Sequence, residues 1–465
     1  MEQKLTSQLS HIRTLTKDPL HPMVWIFLGA FLSIGLTISL IFSWSPVIPV
    51  FMTLALIATV LLFQKPFLLL SVLIIIRMSL DYTASFYMVS LGDFLLSLSQ
   101  LFGIGVALLG MFLVLRHRAS LFNFPLLFPF ALLLIWGLFT IFYSIAPTTS
   151  LQELIRIFDL FSVGYFAFLA VKKTQDINKL FVVFFLSSLF PLLFGLGQFI
   201  LHIGLIDPNV DTPRIFGTFS HPNVFSLYLF VIAVYVFSYF FFLAQSHKEK
   251  QLSFLLLCVV GITLLLTFSR VAWIALFLFF LALGIFRYRL ALIPLIFVPI
   301  LLFSISDAFQ SRIMSSFTSN PDSSLLWRKN LWKDVTTQSF ADQRQFIGTG
   351  LDTFPLVSES LRGIKLGSNE AHNDFVKFFI DGGFVGLVVL LLFLASIALI
   401  IAQHARRTPD PLLKNLLWFL FLLFVILEIS ALTDNVFKNT PVQWLFFALL
   451  GAVLGRESIL LKKIT

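Results

Sequence analysis

The sequence predicts an all-α, polytopic membrane protein with about 14 transmembrane helices, and three observations carry that expectation. The chain of 465 residues is 58% hydrophobic and only 12% charged, with 58 phenylalanines and a mean hydropathy of +0.96, far more apolar side chain than a water-soluble core needs. Its apolar runs are long enough to cross a bilayer core of about 30 Å as helices and too long for barrel strands. Its basic residues gather in alternate connections between those runs, the pattern that fixes orientation in a membrane.

Met1 to Pro22 is polar and basic, and the apolar run after it lacks a small-residue cleavage site, so it reads as a retained signal anchor. Candidate spans then fall near 24–42, 46–63, 66–80, 93–115, 124–142, 155–171, 179–201, 223–243, 252–268, 271–286, 290–306, 384–402, 414–432 and 441–455. With the N-terminus inside, the cytoplasmic connections carry Lys65, Arg116, Arg118, Lys172, Lys173, Lys179, Lys248, Lys250, Arg287, Arg289, Arg406, Arg407 and Lys414. Both termini share that side. Counted together, 19 of the 32 Lys and Arg residues lie inside, mostly in short segments, where such bias decides topology. The whole chain, 1–465, is expected to be one integral membrane domain.

Residues 252–286 read as two spans. A single helix would be about 52 Å long at 1.5 Å per residue, and merging the two would turn every later basic loop outward. The turn at Ser269 and Arg270 is therefore expected at the outer lip, where the loop 202–223 and a long extracytoplasmic segment, 307–381, also emerge. A segment that long is uncommon and usually functional. Within it SLLWRKNLWKDV places Trp327, Leu331 and Val335 at i, i+4 and i+8, the spacing of an interfacial helix on the membrane or over the bundle; Trp327 and Trp332 read as interface anchors.

The concentrated polar chemistry lies from Gly367 to Leu392, beside the span 384–402. Glu370, Asp374, Lys377 and Asp381 recur at i, i+4, i+7 and i+11, as in a short amphipathic helix, which Gly382 and Gly383 then break. His372 sits where that helix starts. The sequence holds no Walker loop, nucleotide fingerprint, zinc-spaced His or Cys cluster or Asp-x-Asp pair, so a cytosolic nucleotide donor, a metal and a cofactor are not expected. The lone Cys258 excludes an intramolecular disulfide. What the outer side offers is Arg214, Arg270, Arg312, Arg328 and Arg344, with His221 and His372 as titratable groups. Guanidinium forks match phosphate oxygens, and an Arg at membrane depth costs about 2.5–3.5 kcal/mol on insertion scales, so it tends to have an anionic partner.

Four segments, PRIFGTFSHPNVFSLYL, LLLTFSRVAWIAL, WRKNLWKDV followed by IGTGLDTFP, and EAHNDFVKFFIDGGFVGLVVLLLF, occur in the order seen in the bacterial O-antigen ligase and O-antigen polymerase superfamily. The chain resembles that superfamily over about 210–400. The resemblance implies transfer of a glycan from undecaprenyl diphosphate to an acceptor hydroxyl, either on a second lipid-linked repeat or on a lipid A core. It implies an active site on the outer face of the bacterial cytoplasmic membrane and no need for metal, nucleotide or nucleic acid. Carried onto matching positions, it makes His372 the catalytic base or acceptor-orienting residue and Arg214 and Arg270 the diphosphate ligands, with Arg328, Asp374 and His221 as secondary candidates. Chemistry agrees: fixed cations stabilise the departing diphosphate, and a neutral imidazole removes the acceptor proton.

Structural roles compete with each assignment. Arg214 can fix its loop through Asp207 or Asp211, Arg270 can snorkel, and His372 can cap its helix. His221 precedes Pro222 and suits the first turn of the next span. Arg77 with Asp81, and Arg156 with Glu153 or Asp159, have the spacing of self-contained ion pairs. Asp374 either pairs with Lys377 or orients His372, and Glu428 stands inside a span without an evident partner. The rival function, a flippase or transporter of lipid-linked glycans, would require charged residues lining a cavity within the spans and internal repeats.

Overall fold

The computed structural model describes residues 47–462 apart from 86, 92–93, 208–209, 315–323 and 364–368, with a few further positions between 29 and 37. The N-terminal anchor segment and most of the span predicted at 24–42 lie outside the described residues. Residues 1–73 and 74–465 form two compact units. The first contains α1 (Val47–Gln64) and most of α2 (Pro66–Arg77). Pro66 opens α2 at the position where a missing N–H costs least.

The second unit carries the rest. Its long helices are α3 (Leu98–Arg116), α5 (Leu127–Ile141), α6 (Pro147–Ala170), α7 (Thr174–Ile200), α8 (Pro222–Phe242), α9 (His247–Leu266), α10 (Arg270–Phe286), α11 (Leu292–Ile305), α15 (Asp374–Arg407), α16 (Pro411–Ser430) and α17 (Thr440–Leu461); a single turn, α4 (Arg118–Leu121), follows α3. Local signals set several starts. Ser97 with Gln100 and Ser246 with Glu249 close capping boxes on α3 and α9, while Asp410 and Asn439 cap α16 and α17 ahead of a Pro in the first turn.

A helix stands at each predicted span within the described residues, yet only seven, α3, α7, α8, α9, α15, α16 and α17, are long and apolar enough to cross a membrane on their own measure. The other predicted spans miss that measure for a physical reason. The helices α2, α5 and α10 are apolar but short, and α6 carries Glu153, Arg156 and Asp159 among its residues. The all-helical expectation also needs a local amendment. Two hairpins, β1 (Tyr87–Leu91) with β2 (Phe94–Ser97) and β3 (Leu205–Asp207) with β4 (Val210–Arg214), pair antiparallel in the connections before α3 and α8.

The centre of the second unit is α8 and α17, buried over 78% and 72% of their apolar windows, against 17% for α3. Exposed Leu108, Leu115, Phe128, Phe139, Phe254 and Leu255 then face the solvent a bilayer supplies. α6 lies against α17, α3 and α5, and its crossing with α17 is close because a Cβ on Gly451 would stand 2.1 Å from the Gly164 carbonyl oxygen. Small residues let membrane helices touch backbone to backbone in this way.

The segment 307–381 is largely helical: α12 (Asp307–Met314), α13 (Ser324–Ala341) and α14 (Phe354–Arg362) precede the start of α15. The predicted α13 stripe turns toward protein, since Leu331 and Val335 are fully buried with Phe354, Ala371 and Ile380, and Trp327 packs against them. Trp332 donates its indole N–H to the Ala371 carbonyl at 2.7 Å. Both tryptophans therefore hold α13 to the His372 region.

Candidate functional site

The predicted break after Asp381 is real and closely built. α15 changes direction at Gly383, whose φ of 61° is left-handed, and a Cβ there would lie 2.2 Å from the Phe346 carbonyl carbon. Only glycine tolerates both. The loop 345–350 clips into the break: Thr349 and Gly350 donate N–H groups to the Ile380 and Asp381 carbonyls at 3.1 and 2.8 Å, and Phe384 donates back to Gln345 at 2.8 Å. Carbonyls freed by the kink are thereby satisfied. Asp381 accepts from the Asp352 and Phe354 N–H groups at 2.9 and 2.8 Å, which fixes the next turn of the same loop.

At the other end of this short helical arm, His372 adopts φ 47°, a conformation uncommon for a non-glycine residue. Asn373 follows as the helix cap, accepting from Phe375 and Val376 N–H groups. Asn373 and Asp374 also bind the loop between α16 and α17. The Asn373 amide donates to Leu432 O at 3.0 Å, the Asp374 N–H donates to Ala431 O at 2.9 Å, and the Asp374 carboxylate accepts from Phe437 N–H at 2.7 Å. Arg328 from α13 donates to Thr433 O at 2.7 Å. Held from both sides, that loop presents Asp434, whose Oδ1 is 3.2 Å from His372 Nδ1. The carboxylate that orients His372 is therefore Asp434, and Asp374 serves the loop that carries it.

Asp434 is buried, which by itself would raise its pKa; the hydrogen bond and charge of His372, Arg328 and the Asn435 N–H outweigh burial and hold it at about 2. In the tautomer whose Nδ1–H donates to an ionised Asp434, the lone pair lies on Nε2. His221 differs. It caps α8, its Nδ1 accepting from Asn223 N–H at 3.1 Å. Burial first, then Arg214, His372 and Arg328, push its pKa down to about 4 against the opposing pull of Asp434, so it is neutral at pH 7.

The arginines gather on the turn between α9 and α10. Arg214, buried at the end of β4, donates Nε to Thr267 O and Nη2 to Asn223 Oδ1, both at 2.9 Å, and Ser269 joins through Asn223 at 3.3 Å. Asp207 and Asp211, the alternative partners expected for Arg214, have side chains outside the described residues. Arg312, also buried, donates Nε to Phe268 O at 3.0 Å, and Arg270, half-buried, is the first residue of α10. The turn and the loop that carries Asp434 meet at the start of α8, where Arg214 and Ser269 bond Asn223 and the Asn439 amide donates to Val224 O at 3.2 Å. Arg214, His372 and Asp434 all act on His221 there, so the turn and the His372–Asp434 pair share one electrostatic neighbourhood. Arg344 stays with its own loop, near Gly348 O.

Next to this lies an ion-pair network that sequence reasoning missed. Asp352 Oδ1 accepts from Lys377 at 2.6 Å and Lys438 at 3.0 Å; Lys438 reaches Glu370 at 2.7 Å, and Lys377 stands 3.3 Å from Asp381. Burial opposes charge on Asp352, Glu370 and Lys438, but mutual attraction wins, lowering both carboxyl pKa values and raising that of the amine. Lys377 thus serves Asp352 and Asp381, and no bond joins it to Asp374. Asp434, Arg312, Asn223 and Lys438 are additional members of the site. The one sequence cue for Asp434 was a Thr-Asp-Asn turn on the same predicted side as His372. Among the described residues, no three His, Cys, Asp or Glu side chains form a group that could hold a metal ion.

Residues 252–391, which run from α9 through the kink of α15, match the family described as O-antigen ligase. No curated protein matches the chain.

Proposed function

We propose, from the match of residues 252–391 to the family described as O-antigen ligase, that the chain is a metal-independent glycosyltransferase of that superfamily that uses undecaprenyl-diphosphate-linked glycan on the outer face of the cytoplasmic membrane. The acceptor hydroxyl oxygen attacks the anomeric carbon opposite the diphosphate. The carbon–oxygen bond to the diphosphate breaks with its electron pair leaving on undecaprenyl diphosphate, the acceptor proton passes to His372 Nε2, and the anomeric centre inverts. Asp434 steadies the imidazolium that forms, while Arg214 and Arg270 stabilise negative charge on the leaving oxygens. Arg328 and Asp374 hold the Asp434 loop, and neutral His221 caps α8 between the two groups.

The observation that carries this reading is the His372–Asp434 pair set in the same electrostatic neighbourhood as the arginine-lined turn. The acceptor defines the activity: a second lipid-linked repeat makes the enzyme a polymerase, and a lipid A core makes it a ligase. The test is a proteoliposome assay with labelled donor. A transferase releases undecaprenyl diphosphate only when acceptor is added. A flippase instead moves intact donor across the bilayer without releasing diphosphate, an outcome that would replace this proposal.

A further inference from the structure

On the far side of the Asp352 network, the end of α2, the start of α3 and the first turns of α6 enclose, with Asp352 and Thr440, a cavity of about 190 Å³. Three of its charged side chains are more than nine-tenths buried, Arg77 and Glu153 at 6% and Asp159 at 2% exposure. Glu153 is taken up by Arg156, whereas Arg77 and Asp159 each have one atom to spare. Arg77 Nη2 lies 3.6 Å from Asp81, as its spacing predicted, but Nη1 has no protein partner. Asp159 Oδ2 accepts from the Trp444 indole at 3.1 Å, while Oδ1 has none. Arg156 is committed, with two bonds to Glu153 and one to Phe437 O.

An unused guanidinium donor and an unused carboxyl acceptor among the lining residues, with the half-buried amide of Gln152, suit neither a bare anion nor a bare cation. They suit a neutral group whose hydroxyls both donate and accept. The volume is below the roughly 300–1,000 Å³ of drug-sized sites, which fits one sugar unit better than a chain. The place is also apt. Asp352 links the cavity through Lys438 to Glu370, two residues before His372, and Arg156 bonds the carbonyl three residues after Asp434.

We propose that the cavity bounded by Arg77, Asp159 and Gln152 is a subsite for a hydroxylated sugar unit, supplied by the acceptor or by the donor glycan. Its biological source rests on the transferase reading; its binding chemistry does not. Gly103 offers a clean obstruction, because a Cβ there meets only Asp159 Oδ2 at 3.9 Å. Gly103→Leu therefore grows into the cavity, and within α3 it replaces a poor helix former with a good one. Asp159→Asn exchanges one carboxyl oxygen for an amide NH2 while keeping the shape and an oxygen for Trp444.

The experiment is saturation-transfer NMR on the full chain in nanodiscs, using methyl glycosides of hexose, 6-deoxyhexose and N-acetylhexosamine as probes. At least one probe should bind the wild type and His372→Ala equally, bind Asp159→Asn roughly tenfold or more weakly, and fail to bind Gly103→Leu. No binding by any probe, or equal binding to all variants, overturns the subsite and leaves a water-filled cavity. In the transfer assay, Gly103→Leu should raise KM for the acceptor if that is the source, or for the donor if that is; no change in either overturns the proposal. Glycoside binding that is lost in Gly103→Leu, alongside unimpaired transfer by His372→Ala, would sink the catalytic reading and keep the cavity.

Discussion

Asp434→Asn is the substitution that separates a catalytic dyad from a helix-capping histidine. The side chain keeps its size, and its amide oxygen can still accept from the Asn435 N–H, which now bonds Asp434 Oδ1 at 2.9 Å. What disappears is the charge facing an imidazole nitrogen 3.2 Å away. Unit charges about 4 Å apart interact by about 4 kcal/mol at an effective dielectric constant of about 20, and most of that attraction arises only once the imidazole has taken up a proton. Losing it should slow turnover by about 10²–10³-fold. An amide can also donate to Nδ1 and hold the proton on Nε2, the wrong tautomer for a base, which adds to the loss. Donor affinity should hardly change, because Arg214 and Arg270 belong to another turn. The assay is acceptor-dependent release of undecaprenyl diphosphate, with thermal unfolding as the check on folding. A variant that turns over within about threefold of wild type would refute the dyad.

Gly383→Ala should destabilise the protein by about 2–5 kcal/mol, from left-handed strain and from collision with the Phe346 backbone, seen as a lower unfolding temperature in detergent; an unchanged midpoint would mean that loop 345–350 does not clip the kink. His221 has a folded pKa of about 4, below its unfolded value of about 6.5, so the unfolded chain binds more protons between them and stability should fall by about 3 kcal/mol as pH drops from 6.5 toward 4. His221→Asn keeps a capping side chain and should flatten that limb, whereas an identical pH profile would discount the half-buried neutral imidazole. The Asp434 carboxyl, held near 2, adds a separate loss only below about pH 4. A cysteine at the exposed position Phe340, with Cys258 replaced, should react with an impermeant reagent from the external side; labelling from the cytoplasm would reverse the topology.

Helix positions were legible because a lipid solvent leaves the backbone few options and so writes them as long apolar runs. The division at Ser269 was legible for a related reason, since length and charge both exclude one continuous helix, and α9 and α10 do part there. α6 was harder to read as a span, because it mixes Glu153, Arg156 and Asp159 into an otherwise apolar helix. Gly382 and Gly383 announced the kink, but nothing announced what fills it, because the IGTG loop bonds through backbone atoms that any sequence supplies. Asp434 escaped notice for a similar reason. It lies 62 residues from His372 in a short turn, and only the folded positions of Asn373, Asp374 and Arg328 bring it into register. The amphipathic period of α13 was read correctly while its buried partner was not, since periodicity does not say whether the apolar face meets lipid or protein.

The central claim is that His372 takes the acceptor's proton while the arginines hold the leaving diphosphate. Single-turnover transfer by His372→Ala, measured beside equilibrium binding of the same labelled donor, tests it most directly. The account predicts donor binding close to wild type with no diphosphate released on adding acceptor. Release at the wild-type rate would contradict it.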